Sequence, residues 1–152
     1  MKPPPWLGAK PLLLLSVGLF VACLFTHAYY APSHSEHPLG LELLVTGWSG
    51  LIFFGISAWL ANPLLLFGWF ACHLGRYDVS AVLSLVALGF MLSFLRIETI
   101  PLDEAINYAK ITSYGLGYWL WLASAVVLFA ASIVGLLAIL LKRRGKPRVI
   151  EF

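Results

Sequence analysis

The sequence predicts an all-α membrane protein, in which a polytopic bundle of four transmembrane helices forms a single domain. Of its 152 residues, 61% are hydrophobic and 11% are charged, whereas soluble domains carry about 25% charged residues. The mean hydropathy is +0.89. Apolar residues occur in long continuous runs, unlike the short alternating segments of a membrane β-barrel. The chain therefore has too few charges to cover a globule in water.

Four apolar runs are candidates for the spanning helices. They cover residues 11–30, 41–74, 79–97 and 116–141. A hydrocarbon core of about 30 Å takes about 20 residues of helix. The first run fits one crossing, the third reaches this length once Ile97 is included beyond Arg96, and the fourth crosses with some tilt.

The second run is too long for one crossing and too short for two crossings joined by a turn. Asn62-Pro63 divides it and leaves residues 63–74, which at about 18 Å of helix are too short to cross alone. Because proline lacks an amide proton and clashes with the preceding turn, we predict one crossing with a break or kink at Pro63. A variant that crosses by Ala61 and continues as an interfacial or re-entrant helix to Leu74 is equally consistent.

Residues 101–111 predict a short outer helix. Pro101 suits the first helical position, Asp103 and Glu104 favour the N-terminal turn, and Lys110 favours the C-terminal turn. Its apolar face predicts that the helix lies on the membrane surface.

The charges predict the orientation of the chain. With four crossings and both termini in the cytoplasm, eight basic and two acidic residues lie inside, and two basic and five acidic residues lie outside. The inner basic residues are Lys2, Lys10, Arg76 and the five in the tail 142–152. This distribution obeys the positive-inside rule and predicts a multi-pass protein of the inner (plasma) membrane.

Small residues predict where the helices approach one another, because membrane helices pack closely through small side chains. In the fourth run they recur every seven residues, at Gly117, Ser124, Ala131 and Ala138. Similar sets occur at Gly18, Ala22 and Thr26 and at Ser80, Ser84 and Ala87. We expect these sets to join the protein's own helices, and the buried serines to donate to carbonyls one turn back.

Asn62 and Pro63 form the first candidate site. Broken membrane helices expose backbone groups that transporters use to bind ions or substrates. The simpler interpretation is that the Asn62 amide satisfies backbone groups freed by Pro63.

The second candidate is a metal site in the loop after the first run, where His34, Glu36 and His37 follow His27. Imidazole and carboxylate groups are ligands for zinc and copper. A solvated loop explains the same residues more simply. His73 is expected at the opposite membrane face from His27, which argues against a shared haem, and we expect no cofactor.

Two further groups of residues are expected to contact partners of the chain. Lipid phosphate is expected to contact Arg76, Lys142, Arg143 and Arg144, at about 1 kcal/mol per charge. Nucleic acid is not an expected partner, because the basic tail has no folded element that could recognise nucleic-acid bases. Near the outer helix, a partner surface is predicted at Asp103, Glu104, Tyr108, Tyr114 and Trp119, although an interfacial aromatic belt is the simpler explanation of the aromatic residues.

Two stretches, Ala58–Leu64 (AWLANPL) and Ile111–Ser124 (ITSYGLGYWLWLAS), resemble small uncharacterised bacterial four-helix integral membrane proteins. The resemblance implies a membrane bundle and brings no activity or binding residues with it.

The sequence favours a non-enzymatic accessory or interaction subunit, because no catalytic set of residues is apparent. Its expected partners are the lipid bilayer and either a membrane protein or further copies of the chain. The alternatives are a small oligomeric transporter or channel that uses the Asn62-Pro63 break, and a membrane immunity or defence protein. Ion pathways usually carry an ionisable group at depth, which this sequence does not clearly offer.

Overall fold

The computed structural model describes residues 6–31, 37–101 and 108–144, and most of them are helical, which confirms the all-α prediction. The helices are α1 (Trp6–Leu24), α2 (Gly40–Phe54), α3 (Ala61–His73), α4 (Tyr77–Ser93) and α5 (Leu116–Arg144). Short 3-10 helices precede α3 (Ser57–Leu60) and follow α4 (Phe94–Arg96). The strands are β1 (Tyr29–Tyr30), β2 (Thr99–Pro101), β3 (Tyr108–Lys110) and β4 (Ser113–Tyr114).

Helices α1 and α5 pack against each other in antiparallel directions. Near the start of α1, a Cβ on Gly8 would lie 3.1 Å from Val134 Cγ1, close to the end of α5. Just beyond the end of α1, the His27 carbonyl accepts a hydrogen bond of 2.9 Å from the Gly117 N–H, at the start of α5. The first and last described residues therefore lie at the same end of the molecule.

Helices α3 and α4 complete a bundle of four helices that alternate in direction. Near the start of α5, Tyr118 donates a hydrogen bond to the carbonyl of Met91, close to the end of α4. Farther along α5, Ser132 donates to Ser80 in the first turns of α4. We call the end where α1 and α4 finish and α5 begins the α2 end. The opposite end, where Gly75 joins α3 to α4, is the basic end.

Helix α2 lies outside this bundle. Its first residue, Gly40, donates a backbone hydrogen bond of 3.0 Å to Thr26, which follows α1. The turn after α2, at Phe54–Ser57, lies beside Ser93 and Ile97, where α4 finishes. Because both ends of α2 lie at the α2 end and none of its residues is buried, the helix runs across this end and does not pass along the bundle.

The break in the second apolar run lies at Gly55 and Ile56, so the predicted break at Asn62-Pro63 is wrong. Gly55 adopts the left-handed conformation (φ 68°) that ends α2, which glycine adopts without a Cβ penalty. Helical structure then continues from Ser57 to His73. Pro63 is the third residue of α3, and a first helical turn tolerates proline because its amide groups need no intrahelical partner. Residues 63–73 thus belong to the bundle.

The predicted helix over residues 101–111 is also wrong in its described parts. Strands β2 and β3 pair in antiparallel register, with Ile100 opposite Ala109, while residues 102–107 lie outside the described residues. In β3, Ala109 is buried between exposed Tyr108 and Lys110, which is the two-residue alternation of a strand. Ile100 and Ala109 bury themselves in a small cluster with Tyr29, which the helical alternative would disrupt.

Helix α1 ends earlier than the first apolar run predicts. Helix α1 ends at Leu24, and Tyr29–Tyr30 form β1, which pairs with β4 so that Tyr29 lies opposite Tyr114. This strand pair ties the end of α1 to the start of α5.

The small-residue sets of α5 and α4 are buried as predicted. Gly117, Ser124 and Ala131 are buried, whereas Ala138 is half-buried. In α4, Ser80, Ser84 and Ala87 are fully buried. In α1 the prediction is wrong, because Ala22 is exposed and a Cβ on Gly18 would meet nothing within 4 Å. Here Ala9, Ser16, Phe20 and Cys23 face the interior instead.

Hydroxyl groups connect the helices inside the bundle. Trp69 of α3 donates to Ser16 Oγ of α1 (2.9 Å), and Ser16 donates to the Ser124 carbonyl of α5 (2.7 Å). As predicted, Ser84 and Ser124 donate to carbonyls one turn back. The Ser132 oxygen lies 2.9 Å from the Leu128 carbonyl oxygen one turn back and 2.8 Å from Ser80 Oγ. Each of these serine hydroxyls thus has a partner, as an apolar environment requires.

Two stretches of the described chain are long and apolar enough to cross a membrane, Tyr77–Arg96 and Leu116–Lys142. Helix α1 contributes a shorter apolar stretch, Gly8–Leu24, and α2 contributes Gly40–Phe54. Length and composition of this kind are weak evidence for a membrane protein, since core helices of soluble proteins share them.

The close approach of α1 and α5 yields a stability prediction. A Cβ on Gly117 would lie 2.8 Å from the Thr26 carbonyl oxygen, a backbone atom that cannot move aside. Gly117→Ala should therefore lower the free energy of unfolding by about 1–3 kcal/mol. Gly89→Ala, in the exposed middle of α4 where a Cβ meets nothing within 4 Å, should raise it by up to about 1 kcal/mol. Equilibrium unfolding in detergent measures both changes, and equal effects of the two substitutions would contradict this packing.

Candidate functional site

A cavity of about 870 Å³ lies between α2 and the α2 end of the bundle. We call it the α2 cavity. Helix α2 covers it, and the 3-10 helix before α3 closes one side. The rest of its wall comes from α1, α5, the first turn of α3, the 3-10 helix after α4, and strands β1 and β2. The residues that define it below are Cys23, Tyr29, Gly50, Trp59, Asn62 and Trp121.

Trp59 holds α2 in position over the cavity. Its indole N–H donates a hydrogen bond of 2.9 Å to the carbonyl of Leu44, in the middle of α2. The ring lies so close to Gly47 that a Cβ there would come within 2.7 Å of it. Gly47 therefore permits the contact that joins α2 to the 3-10 helix before α3.

The Glu42 side chain caps the first turn of α2. The backbone N–H of Leu39 donates to the Glu42 carboxylate at 3.0 Å, and the negative charge also suits the positive end of the helix dipole. The outer face of α2 exposes Val45, Trp48 and Ile52, while Leu43, Leu44 and Gly47 line the cavity. Both faces of α2 are therefore apolar.

Asn62 supplies an amide group to the cavity wall. It is buried, with 7% of its surface exposed, and its Oδ1 accepts a hydrogen bond of 2.9 Å from Trp121 Nε1. An indole N–H can only donate, so this contact fixes which amide atom faces Trp121. The Nδ2 group donates to no acceptor among the described residues. The sequence prediction thus selected a residue of the cavity, although Pro63 beside it does not line the wall.

Tyr29 adds a phenol group to the same cavity. Burial, and secondarily the charge of Glu42, raise the pKa of Tyr29 to about 12. The hydroxyl consequently stays protonated throughout the physiological range and can donate a hydrogen bond. Its ring packs beside that of Phe94, at 6.0 Å between centroids.

The predicted metal site is only partly described. His27 and His37 come together, with ring centroids 6.0 Å apart, and His27 Nδ1 lies 2.9 Å from the His37 carbonyl oxygen. His34 and Glu36 lie outside the described residues. Within the described ranges, no group of three or more histidine, cysteine or acidic side chains is arranged to hold a metal. His73, at the end of α3, lies at the basic end, far from His27.

The predicted lipid-contacting residues gather at one end of the bundle. Arg76 follows the turn at Gly75, and Lys142, Arg143 and Arg144 belong to the end of α5. Arg76 Nε lies 3.5 Å from Asp78 Oδ1, but both side chains are about two-thirds exposed, and exposed ion pairs contribute little stability.

The predicted partner surface is reduced to two exposed aromatic residues. Tyr108 and Trp119 are 59% and 49% exposed at the α2 end. Tyr114 instead packs inward, where its hydroxyl donates to the Phe94 carbonyl at 3.3 Å, and burial raises its pKa. Asp103 and Glu104 lie outside the described residues.

Comparison of the chain with protein-family models, with curated proteins and with solved structures gives no match. The site is consequently interpreted from its own geometry. Sequence reasoning missed the cavity because it assigned the first half of the second run to the bundle. The signals that could have revealed it were Gly55, which ends α2, and Gly47, which admits the Trp59 ring.

The hydrogen bond between Asn62 and Trp121 can be measured by a double-mutant cycle. Asn62→Leu and Trp121→Phe should each destabilise the fold, and together they should show a coupling of about 0.5–1.5 kcal/mol, the net contribution of a typical intramolecular hydrogen bond. Trp119→Phe, which removes a neighbouring exposed indole, should show no coupling to Asn62→Leu. Additive effects of the first pair in equilibrium unfolding would show that the bond does not form.

Proposed function

We propose that this chain is a multi-pass protein of the inner (plasma) membrane, with both termini in the cytoplasm, and that it acts without catalysis as an accessory or interaction subunit of a membrane complex. Its bundle lies within the lipid, and the α2 end is the surface that binds its partner.

The observation that carries this proposal is the inverted distribution of side-chain sizes. Most of the fully buried positions of the bundle hold small residues, including Ser16, Ser80, Ala87, Ser124, Ala125 and Ala131. Large apolar side chains point outward on every helix of the bundle, among them Leu14 (72% exposed), Phe67 (65%), Val82 (61%) and Leu137 (53%). Water-soluble proteins bury such side chains, whereas membrane proteins pack through small residues and expose large apolar ones to lipid.

Charge supports the orientation. The described basic end carries Lys10, Arg76 and Lys142 together with Arg143 and Arg144, against the single acidic residue Asp78. The described α2 end has two basic residues, Arg96 and Lys110, and two acidic residues, Glu42 and Glu98. The positive-inside rule therefore assigns the basic end to the cytoplasm.

The chemistry of the α2 cavity favours binding over catalysis. No acidic, basic or histidine side chain lines its described wall, and these are the side chains that most often carry general acid–base catalysis. A mostly apolar cavity with a few polar groups is typical of a site that binds a ligand.

A transporter is the second candidate, because the Nδ2 group of Asn62 is available within the cavity. The interior of the bundle argues against a pathway through it. Leu65, Met91 and Leu128 are fully buried in the bundle and fill the space between its helices. The geometry therefore favours a closed pocket over a channel.

The proposed orientation is tested by cysteine labelling in whole cells. In a chain carrying Cys23→Ala and Cys72→Ala, a cysteine at Ser113 should react with a membrane-impermeant maleimide added outside. A cysteine at Leu74, exposed at the basic end, should react only after the membrane is permeabilised. Equal labelling of the two positions in intact cells would refute the orientation.

The proposed interaction surface is tested by photo-crosslinking. A benzoylphenylalanine at position 119 should form a protein adduct in the membrane, either with another protein or with a second copy of the chain. The same group at Leu85, 57% exposed on α4, should react only with lipid. If position 119 also yields lipid adducts alone, the α2 end is not the interaction surface.

A further inference from the structure

We propose that the α2 cavity binds an uncharged long-chain amphiphile, whose head group offers carbonyl oxygens to Asn62 and Tyr29. This inference rests on the proposed membrane location and adds the chemical class of the ligand.

The size and lining of the cavity fit such a molecule. Its volume of about 870 Å³ falls within the range of about 300–1,000 Å³ for small-molecule sites. Most of the wall is aliphatic or aromatic, with Leu44, Phe53 and Ile56 on the covering side and Phe20 and Leu24 on the bundle side. An alkyl or isoprenoid chain can contact these surfaces without leaving polar groups unpaired.

The polar groups of the wall specify the head group. Asn62 Nδ2 donates to no described acceptor, and the Tyr29 hydroxyl is likewise without a hydrogen-bond partner among the described residues, while its raised pKa keeps it protonated. Asn62 and Tyr29 both line the cavity, and two side-chain donors in one wall favour a ligand with acceptor oxygens. Because the carbonyl of Asn62 is already engaged by Trp121, the amide presents its donor side to the ligand.

The charges around the cavity exclude an anionic head group. No lysine, arginine or histidine lines the described wall, so a buried phosphate would have no counter-ion, which is costly. The nearby carboxylate of Glu42, which contributes to the raised pKa of Tyr29, would repel it further. Among membrane-soluble molecules, quinones and diacylglycerols carry uncharged acceptor oxygens of this kind.

The covering helix provides the route from the lipid. Helix α2 has no buried residue, and its outer face exposes Val45, Trp48 and Ile52. It is held by its two ends and by Trp59, so a chain dissolved in the membrane can enter between α2 and the bundle. A protein helix, at about 10 Å in diameter, would require α2 to be displaced.

Gly50 offers a substitution that fills the cavity and preserves the fold. Gly50 lines the cavity, and a Cβ there makes only ordinary contacts, at 3.7 and 3.8 Å from Ile56. A leucine side chain at this position extends into the cavity and also favours helix formation in α2. Gly89→Leu, in the exposed middle of α4, is the matched control.

The experiment uses the full chain in detergent and native mass spectrometry with three probes, namely decyl-benzoquinone, dioctanoylglycerol and the anionic dodecyl phosphate. At least one neutral probe should form a one-to-one adduct in preference to dodecyl phosphate, and which of the two binds identifies the ligand class. Gly50→Leu should reduce the bound fraction at least tenfold, and Gly89→Leu should leave it unchanged.

Three results would overturn the inference. These are no adduct with either neutral probe, equal binding of dodecyl phosphate, or a neutral adduct that survives Gly50→Leu. The labelling experiment tests the membrane orientation separately, so an inverted topology with an intact Gly50-dependent adduct would refute the proposed function and leave the ligand assignment standing.

Discussion

The antiparallel packing of α1 against α5 is the constraint on which the rest of the structure depends. It brings the end of the first helix to the start of the last, where the Gly117 N–H bonds to His27 and β1 pairs with β4. Gly117 makes this possible because its missing side chain admits the backbone of Thr26 and His27. With these ends joined, Cys23 in the last turn of α1 and Tyr29 just beyond the helix form part of one wall of the α2 cavity.

Polar contacts then align the remaining helices in an interior that offers no water. Ser16 links α1 to α3 through Trp69 and to α5 through the Ser124 carbonyl, and Ser132 links α5 to α4 through Ser80. Unpaired hydroxyls would be costly in such surroundings, so each bond fixes the register of two helices as well as holding them together. Small residues at these positions let the backbones approach, which is why large side chains remain on the outside.

The sequence predicts the helices far better than the interruptions between them. Hydropathy located the start of α5 at Leu116, because a long apolar run has few structural alternatives to a helix. The spacing of small residues every seven positions identified Ser124 and Ala131 as buried. The predicted break at Pro63 is wrong because proline interrupts a helix only beyond the first helical turn. Where that first turn lies depends on Gly55, which ends α2. Likewise, residues 108–110 satisfy helical end preferences locally, and only pairing with β2 makes them a strand. Asn62 was identified as unusual, but its neighbours Trp121 and Tyr29 are distant in sequence and could not be predicted.

The position of Asn62 connects the bundle to the cavity above it. Its carbonyl is held by Trp121 of α5, and the residues just before it, including Trp59, hold α2. The short helical segment between Gly55 and Asn62 therefore connects α2 to the first turn of α3. A ligand that hydrogen-bonds to Asn62 Nδ2 would contact the bundle and the covering helix at the point where the two are joined. Occupation of the cavity would accordingly stabilise α2 over the α2 end, and with it the aromatic surface around Trp119 that we propose for the partner.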